Sequence, residues 1–312
     1  MGCRGNEYDV SCRINTTDPG AVNEEVDRIF LELYPDASTS HLERAFGDLA
    51  ELYGGRRPGY HACDTAYHDI QHVLDVTLAT ARLIDGYVRA RIGGESLDAS
   101  MFRLGVVTAL FHDCGYIRTQ DDTRHKNGGE LTLIHVSRGA RFLRNYLPTI
   151  GMAEVADIAA ALIHFTGYEM QVPQIRVPSL AYKLLGSMLG SADIIAQMSD
   201  RCYLEKCRDR LYPEFLAAGI ARRRLPDGTE ELVYQSGEDL VRKTPGFYET
   251  ASQRLAGDLG GAHEYASEHF GGQHLYLEEL KKNIRFAQTM VREGDLAALK
   301  RHPPATMPSP AR

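Results

Sequence analysis

Five ionisable side chains in apolar surroundings could together bind a metal ion: His68, His72, His112, Asp113 and Asp193. Burying such a group without a partner costs several kcal/mol, so each one requires a counter-charge or a cation. A divalent metal would compensate all of them at once. On a helix, His68 and His72 project from one face because they occupy positions i and i+4. The set therefore predicts a shared metal site.

The surroundings of three of these residues favour an interior position. His112 and Asp113 follow the run 104–111, which is apolar almost all round. A helix of that kind is buried, so it carries the pair into the interior or a cleft. Gly115 then ends the helix and leaves room for a ligand. Asp193 also stands among small and apolar residues, where it could instead cap a neighbouring helix or form an ion pair with an arginine.

His135 and His164 are further candidate metal ligands. The intervals from Asp113 to His135, from there to His164, and on to Asp193 are each about one helix plus a turn. Successive helices could therefore each offer one ligand to a common centre. The alternative is that both are core histidines whose ring nitrogens are satisfied by hydrogen bonds.

The apolar spacing elsewhere predicts helices and few strands. Helix-length apolar segments cover residues 21–53, 66–90, 101–113, 128–147, 152–165, 178–215, 247–258 and 274–298. The best strand candidate is 231–234, which follows the turn signal Pro226-Asp227-Gly228. We therefore expect an all-α protein, a helical bundle to which one short β-hairpin could be added.

The expected organisation is a metal-binding core with helical additions. The core should cover residues 60–215, preceded by a helical extension over 21–59 and followed by one over 216–300 that packs on it. Residues 1–20 are polar and residues 301–312 are rich in proline, so both are expected to be disordered tails.

The composition restricts the binding partners and the cellular compartment that we expect. The chain has 312 residues, 43% hydrophobic and 25% charged, which is typical of a globular protein. Its formal charge of −7 argues against binding a nucleic-acid polymer, which normally requires a basic surface. We find no apolar run of membrane-spanning length and no signal peptide. Six cysteines without a CxxC pair fit reduced thiols, so we expect a cytoplasmic protein with no membrane partner. The oligomeric state stays open, a homodimer included.

Four motifs together resemble the HD superfamily of metal-dependent phosphohydrolases, and within it the catalytic domain of cyclic-nucleotide phosphodiesterases. They are Tyr-His-x-x-x-His-x-x-Asp-Val at 67–76, His-Asp at 112–113, Asp at 193, and Asp-Arg-Leu-Tyr-Pro-Glu-Phe at 209–215. The resemblance implies an HD-domain bundle over 60–215 and one or two divalent ions (Fe, Mn, Zn, Mg or Ni). It also implies a small phosphoester or nucleotide as the substrate.

The same resemblance implies roles for individual residues. The first metal site is matched by His72, His112, Asp113 and Asp193, with Asp113 bridging to a second ion. His68 matches the histidine that protonates the leaving oxygen, which makes His68 and Asp113 the predicted catalytic residues.

The two further histidines match another branch of the superfamily. His135 and His164 are similar to the extra ligands of the HD-GYP enzymes, which have a dinuclear centre and hydrolyse cyclic dinucleotides. Both are therefore predicted metal ligands.

Three features depart from these families. Tyr116 stands where the phosphodiesterases have a further histidine, residues 164–170 lack the Gly-Tyr-Pro signature, and the glutamine that selects the purine in those enzymes is not placed in this sequence. These departures concern the substrate and leave the metal prediction intact. The carboxylate that orients His68 is also open at this point, with Asp69 and Glu130 as candidates.

Three alternative functions compete with a phosphohydrolase. A di-iron oxygenase of the HD fold, similar to inositol oxygenase, has the same order of histidines and aspartates; iron content and oxygen consumption would distinguish it. A non-catalytic HD module that binds a nucleotide or a partner would have no need of His68 as a proton donor. A bundle with scattered histidines would require a separate partner for each buried group.

Overall fold

Helices form most of the structure because apolar residues recur at helical spacing along the chain. The computed structural model describes residues 5–90, 94–224 and 228–305. In chain order the α-helices are α1 (Pro19–Leu33), α2 (Ser40–Tyr53), α3 (Ile70–Ala90), α4 (Ala99–Leu110), α5 (His135–Tyr146), α6 (Ala156–Leu162), α7 (Leu180–Ser199), α8 (Tyr203–Lys206), α9 (Tyr212–Ala217), α10 (Gly237–Ala256), α11 (Ala266–His269) and α12 (Leu275–Glu293). The prediction of an all-α fold is confirmed.

Shorter elements connect or decorate the helices. Strand β1 (Arg222–Arg224) pairs antiparallel with β2 (Glu230–Leu232), which confirms the predicted hairpin near 231–234. The first two residues of its turn signal, Pro226 and Asp227, lie outside the described residues. Single 3-10 turns are formed by Cys114–Tyr116, Gly128–Leu131, Leu147–Ile150, Ala153–Val155, Ile163–Phe165, Val172–Gln174 and Ala262–Tyr265, and a π-helix by Cys207–Leu211.

Helix α3 lies at the centre of the bundle. It packs against α7, α4, α1 and α11, and most of its side chains are buried. Two helices that pack against α3 begin at N-cap residues. The side chain of Asp98 accepts the backbone N–H of Met101 at the start of α4, and the side chain of Ser179 accepts that of Tyr182 at the start of α7. One apolar core extends from Val10 to Leu299, so the helices on either side of 60–215 share it.

Two of the long predicted helices are interrupted. The segment 21–53 divides into α1 and α2, because Pro35 lacks a backbone N–H and restricts Tyr34 before it. The segment 178–215 divides after α7, where the carboxylate of Asp200 accepts the N–H of Cys202 at 2.6 Å and stabilises a turn. Helix α8, the π-helix and α9 then follow.

The first described residues are packed against the bundle, in contrast to the disordered tail expected over 1–20. The buried carboxylate of Asp9 accepts the N–H of Ile14 at 3.0 Å and forms an ion pair with Arg82 of α3 at 2.6 Å. Arg82 also donates to the hydroxyl of Tyr276 in α12 at 3.0 Å. This buried network joins 5–18 to two helices of the core.

Residues 301–305 are likewise placed by contacts, although a disordered tail was expected over 301–312. Arg210 donates to the carbonyl oxygens of Pro303 and Pro304. The rest of the two predicted tails, residues 1–4 and 306–312, lies outside the described residues. Among the described helices, none combines the length and the apolar character that a membrane span requires.

We expect Asp9→Ala to lower the free energy of unfolding at pH 7 by about 3 to 5 kcal/mol, because Arg82 stays buried without its carboxylate. Burial raises the pKa of Asp9, but Arg82 and hydrogen bonds from Ile14 and Ser11 outweigh burial and lower it to about 2. The ionised form is therefore favoured by folding. Its stabilisation is present above about pH 4 and is lost as the pH falls through about 2.

Denaturant unfolding of the wild type and of Asp9→Ala, at pH 7 and at decreasing pH, measures both effects. Asp36→Ala, a change at an exposed carboxylate, is the control and should stay within about 0.5 kcal/mol of the wild type. Equal stabilities for the two variants would contradict the role of Asp9.

Candidate metal centre

Three helices bring the predicted metal ligands to one place. His72 lies in the first turn of α3, and the carboxylate of Asp69 accepts its backbone N–H at 3.0 Å. His112 and Asp113 follow α4, whose largely buried side chains carry the pair into the interior. Asp193 lies on α7, which packs against α3. The ends of α3 and α4 and the middle of α7 therefore face one another.

The ligand atoms of these residues lie close together. Asp113 Oδ2 is 3.1 Å from His72 Nε2 and 3.2 Å from His112 Nε2, and the two nitrogens are 3.3 Å apart. Asp193 Oδ1 lies 3.4 Å from His72 Nε2 and 4.0 Å from His112 Nε2. The buried group of His72, His112 and Asp113 could hold a metal ion, and Asp193 stands next to it.

The orientation of the imidazoles fits a metal site. His112 Nδ1 lies 2.7 Å from the carbonyl oxygen of Ala109, so in the neutral ring this nitrogen donates and Nε2 presents a lone pair. Asp113 Oδ2 is buried, and no hydrogen bond reaches it in the described part of the chain. The short distances therefore join acceptor atoms, and a cation among them would satisfy all of them. A backbone carbonyl that fixes a ligating imidazole in this way is a usual feature of metal sites.

The charges of the group also favour a cation. Burial lowers the pKa of His112, but the Asp113 and Asp193 carboxylates outweigh burial and raise it to about 9. Burial raises the pKa of Asp113, whereas His112 and His72 lower it well below its usual range. Without a metal, His112 would thus be protonated at neutral pH. A metal ion competes with that proton for the same lone pair.

His135 lies on the other side of the Asp113 carboxylate. Its Nε2 is 3.6 Å from Asp113 Oδ1, and its Nδ1 is 2.6 Å from the carbonyl oxygen of Thr132. Burial lowers the pKa of His135, which favours the neutral imidazole. Gly115 permits this approach, because a Cβ there would lie 1.8 Å from the His135 carbonyl oxygen. His135 is therefore placed to extend the group, as predicted, and its ligation stays a prediction.

The structure does not bring His164 to this group. The residue lies in the 3-10 turn after α6, its side chain does not line the cavity beside the metal centre, and its Nδ1 is buried without a hydrogen-bond partner among the described residues. Burial lowers its pKa, and the charges that act on it are those of Glu169 and Arg144. Its predicted role as a ligand has no geometric support.

The carboxylate that contacts His68 is Glu214, rather than either candidate from the sequence. Glu214 Oε2 lies 2.5 Å from His68 Nδ1, and Oε1 accepts the N–H of Tyr67 at 2.6 Å. Burial lowers the pKa of His68, but Glu214 and the metal-site carboxylates outweigh burial and raise it. Glu214 belongs to the run 209–215 that carried the family resemblance, so the sequence did contain a signal for it.

Asp69, one of the two candidates, has different partners. Besides the N–H of His72, its carboxylate contacts the guanidinium of Arg210 at 3.0 Å. It therefore fixes the start of α3 rather than the imidazole of His68.

Tyr116 occupies the position at which the sequence departs from the phosphodiesterase pattern. Its ring stacks on His68, with centroids 4.2 Å apart and planes inclined by 14°. It also stacks on His135, with centroids 4.4 Å apart and planes inclined by 22°. A buried aromatic ring thus restricts both imidazoles, where another histidine could have acted as a ligand.

A cavity of about 410 Å³ opens on both parts of the site. His68 and the candidate ligands His72, Asp113 and Asp193 are among the residues that line it. Its walls are largely apolar and aromatic and include Ile194, Leu211, Phe215, Leu240 and Phe247. Leu133 and Tyr168, exposed by 62% and 64%, also line it. The volume suits a small molecule.

The fold resembles that of phosphodiesterase domains of known structure. No protein-family model matches the sequence, and no curated protein is similar to it. The phosphodiesterase domain of Salpingoeca rosetta rhodopsin phosphodiesterase is 14% identical over 93% of this chain and 92% of that one, with a TM-score of 0.53. The phosphodiesterase domain of the RhoPDE fusion protein from the choanoflagellate Salpingoeca rosetta is 12% identical over 93% of this chain and 96% of that one, with a TM-score of 0.51. At these identities the similarity establishes the fold alone.

We expect Asp113→Ala to weaken metal binding by about 100-fold or more, because Asp113 contributes the anionic oxygen between two imidazoles. His164→Ala is the matched control and should keep the metal content of the wild type. Elemental analysis of the purified proteins, followed by titration of the metal-free forms, measures the effect. Wild-type stoichiometry and affinity in Asp113→Ala would refute this centre. Metal loss in His164→Ala would return that residue to the ligand set.

Proposed function

We propose that this protein is a metal-dependent phosphohydrolase that cleaves a phosphodiester of nucleotide size. The observation that carries the proposal is the shared cavity: His72 and Asp113 of the buried His-His-Asp group line it together with a carboxylate-bound histidine, His68. The phosphodiesterase-like fold supports the proposal, and the chemistry follows from the site itself.

His68 is the proton donor in this proposal. Its Nδ1 is bound by Glu214, and its raised pKa favours the imidazolium form. Nε2, which lies 3.4 Å from the hydroxyl oxygen of Tyr116, is then the nitrogen that gives a proton to the leaving oxygen as the bond from phosphorus to that oxygen breaks. A positioned acid of this kind contributes about 10²- to 10⁴-fold to the rate.

The ligand group has the complementary role in the proposal. His72, His112, Asp113 and Asp193 would hold a divalent ion, which would lower the pKa of a bound water and neutralise charge on the phosphoryl oxygens. Asp113 Oδ2 lies next to both imidazole nitrogens, while Oδ1 faces His135. Tyr116 holds His68 and His135 by stacking on both. The oxygen of water that joins phosphorus replaces the oxygen that leaves.

The cavity walls support a substrate with a planar, largely uncharged group beside its phosphate. Phe215, Phe247 and Tyr168 offer aromatic surface, and Ile194 and Leu240 offer aliphatic surface. A nucleoside matches both the volume and this lining. We therefore propose a nucleotide phosphodiester as the substrate class.

Elemental analysis of the purified protein and a panel of cyclic and linear nucleotides, assayed with each added divalent metal, test the proposal. Metal-dependent release of a phosphomonoester supports it. Iron with oxygen consumption and no phosphoester cleavage would instead identify an oxygenase of the same fold. Binding of a nucleotide without turnover under any metal would identify a binding module.

We expect His68→Gln to keep the metal content and to reduce kcat about 10²- to 10⁴-fold for substrates that release an alkoxide. The loss should be much smaller for 4-nitrophenyl esters, because a stabilised phenolate leaves without a proton. His61→Gln, a change at a histidine outside the cavity, is the control and should behave like the wild type. Steady-state kinetics on both substrate types measures the ratio. Equal losses for alkyl and 4-nitrophenyl esters would remove His68 from the role of proton donor.

A further inference from the structure

Residues 210–214 contact the loop 66–69, which carries His68, at both of its ends. Glu214 binds His68 Nδ1 and the N–H of Tyr67. One turn earlier, Arg210 Nη1 lies 3.3 Å from the carbonyl oxygen of Ala66 and 3.0 Å from Asp69 Oδ2. Arg210 lies in the π-helix Cys207–Leu211, which runs directly into α9.

The other end of the same guanidinium is bound by a distant part of the chain. Arg210 Nη2 donates to the carbonyl oxygens of Pro303 and Pro304, at 3.2 and 2.6 Å. These residues belong to what we name the closing segment, residues 301–304. A planar guanidinium with donors on two sides cannot move towards one set of acceptors without leaving the other.

The closing segment is itself held at several points. The side chain of Asn6 donates to the carbonyl oxygen of His302 at 3.0 Å. Arg301 donates through its side chain to the carbonyl oxygen of Arg201, and through its backbone N–H to Glu205 at 3.2 Å. Neither the closing segment nor Arg210 lines the cavity.

We propose that Arg210 is a positioning residue for the proton donor His68, and that the closing segment holds Arg210 in place. Ala66 and Asp69 flank the loop that carries His68, and Arg210 is the side chain that joins both to the closing segment. The inference rests on the proposed function, in which His68 protonates the leaving oxygen. Displacement of a catalytic group by about 1 Å can cost about 10²-fold in rate.

Arg210→Lys tests the first half of the inference. Lysine keeps the charge, but its single ammonium cannot reach both Asp69 and the carbonyl oxygens of the closing segment. We expect kcat for alkyl phosphodiesters to fall about 10- to 100-fold, while kcat for 4-nitrophenyl esters and the metal content stay within about threefold of the wild type. The ratio of the two kcat values reports on the proton donor alone. A general loss of stability would lower both kcat values and leave their ratio unchanged.

Arg208→Lys is the matched control. Arg208 makes the same kind of contacts two residues away, to Asp209 and, at 3.4 Å, to the carbonyl oxygen of Leu299. Neither contact involves the loop 66–72 or the closing segment 301–304, so the kcat ratio of this variant should equal that of the wild type. A shift as large as that of Arg210→Lys would refute the assignment to Arg210.

The full-length double variant Asn6→Ala/Arg301→Ala tests the second half, because it loosens the closing segment without touching Arg210. The kcat ratio should change in the same direction, by about three- to tenfold. An unchanged ratio would refute the part played by the closing segment.

A second measurement does not depend on activity. The proton between His68 Nδ1 and Glu214 should give a downfield proton NMR signal in the wild type that is absent in His68→Gln. Its shift should change in Arg210→Lys and stay constant in Arg208→Lys. If the wild type cleaves neither ester type, the proposed function fails; if it cleaves both and Arg210→Lys changes neither the ratio nor the signal, only this inference fails.

Discussion

The architecture depends on one buried carboxylate. Asp113 lies in the interior with two imidazole nitrogens close to one oxygen and a third facing the other. Such a concentration of acceptors is stable only with a bound cation or bound protons, because the interior offers little solvation. The buried run of α4, the first turn of α3 and the small residues of α7 are the elements that let these side chains meet. The positions of these helices therefore follow from the need to surround a buried carboxylate with groups that compensate its charge.

A second polar layer surrounds this centre and explains an irregularity of the fold. Lys206, just before the π-helix, is buried and contacts Asp200 at 2.5 Å and Gln71 at 2.9 Å. Arg210 and Glu214 follow and reach the loop before α3. The π-helix changes the phase of the side chains at this point, and π-helical turns are often found at functional sites. The interruption thus lies where three charged side chains in succession must reach buried partners.

Residues in or directly after strongly apolar runs could be predicted from the sequence, whereas the point at which a helix ends could not. His72, His112, Asp113 and Asp193 stand in buried runs, so the cost of burial alone indicated that they have a common purpose. The spacing argument was equally good for His135 and His164, yet only His135 approaches the centre. Helix α6 ends at Leu162, so His164 lies in a 3-10 turn rather than on the helix. Spacing gives the face of a helix but not the point at which the helix stops.

Glu214 shows a different limit of sequence-based prediction. The run 209–215 that contains it resembles a motif of the family, but no local pattern indicates which histidine a carboxylate so distant in sequence will contact.

Chemistry and specificity are carried by different parts of this structure. The ligand group comes from α3, α4 and α7, whereas the cavity walls come largely from the 165–170 loop, α9, the residues beside the hairpin and α10. A reactive group restricts residue types and spacing strongly, because few side chains bind a metal or donate a proton at neutral pH. An apolar wall restricts only size and polarity, so many sequences can build it. The candidate metal-binding group was therefore visible in the sequence, whereas the lining of the cavity was not.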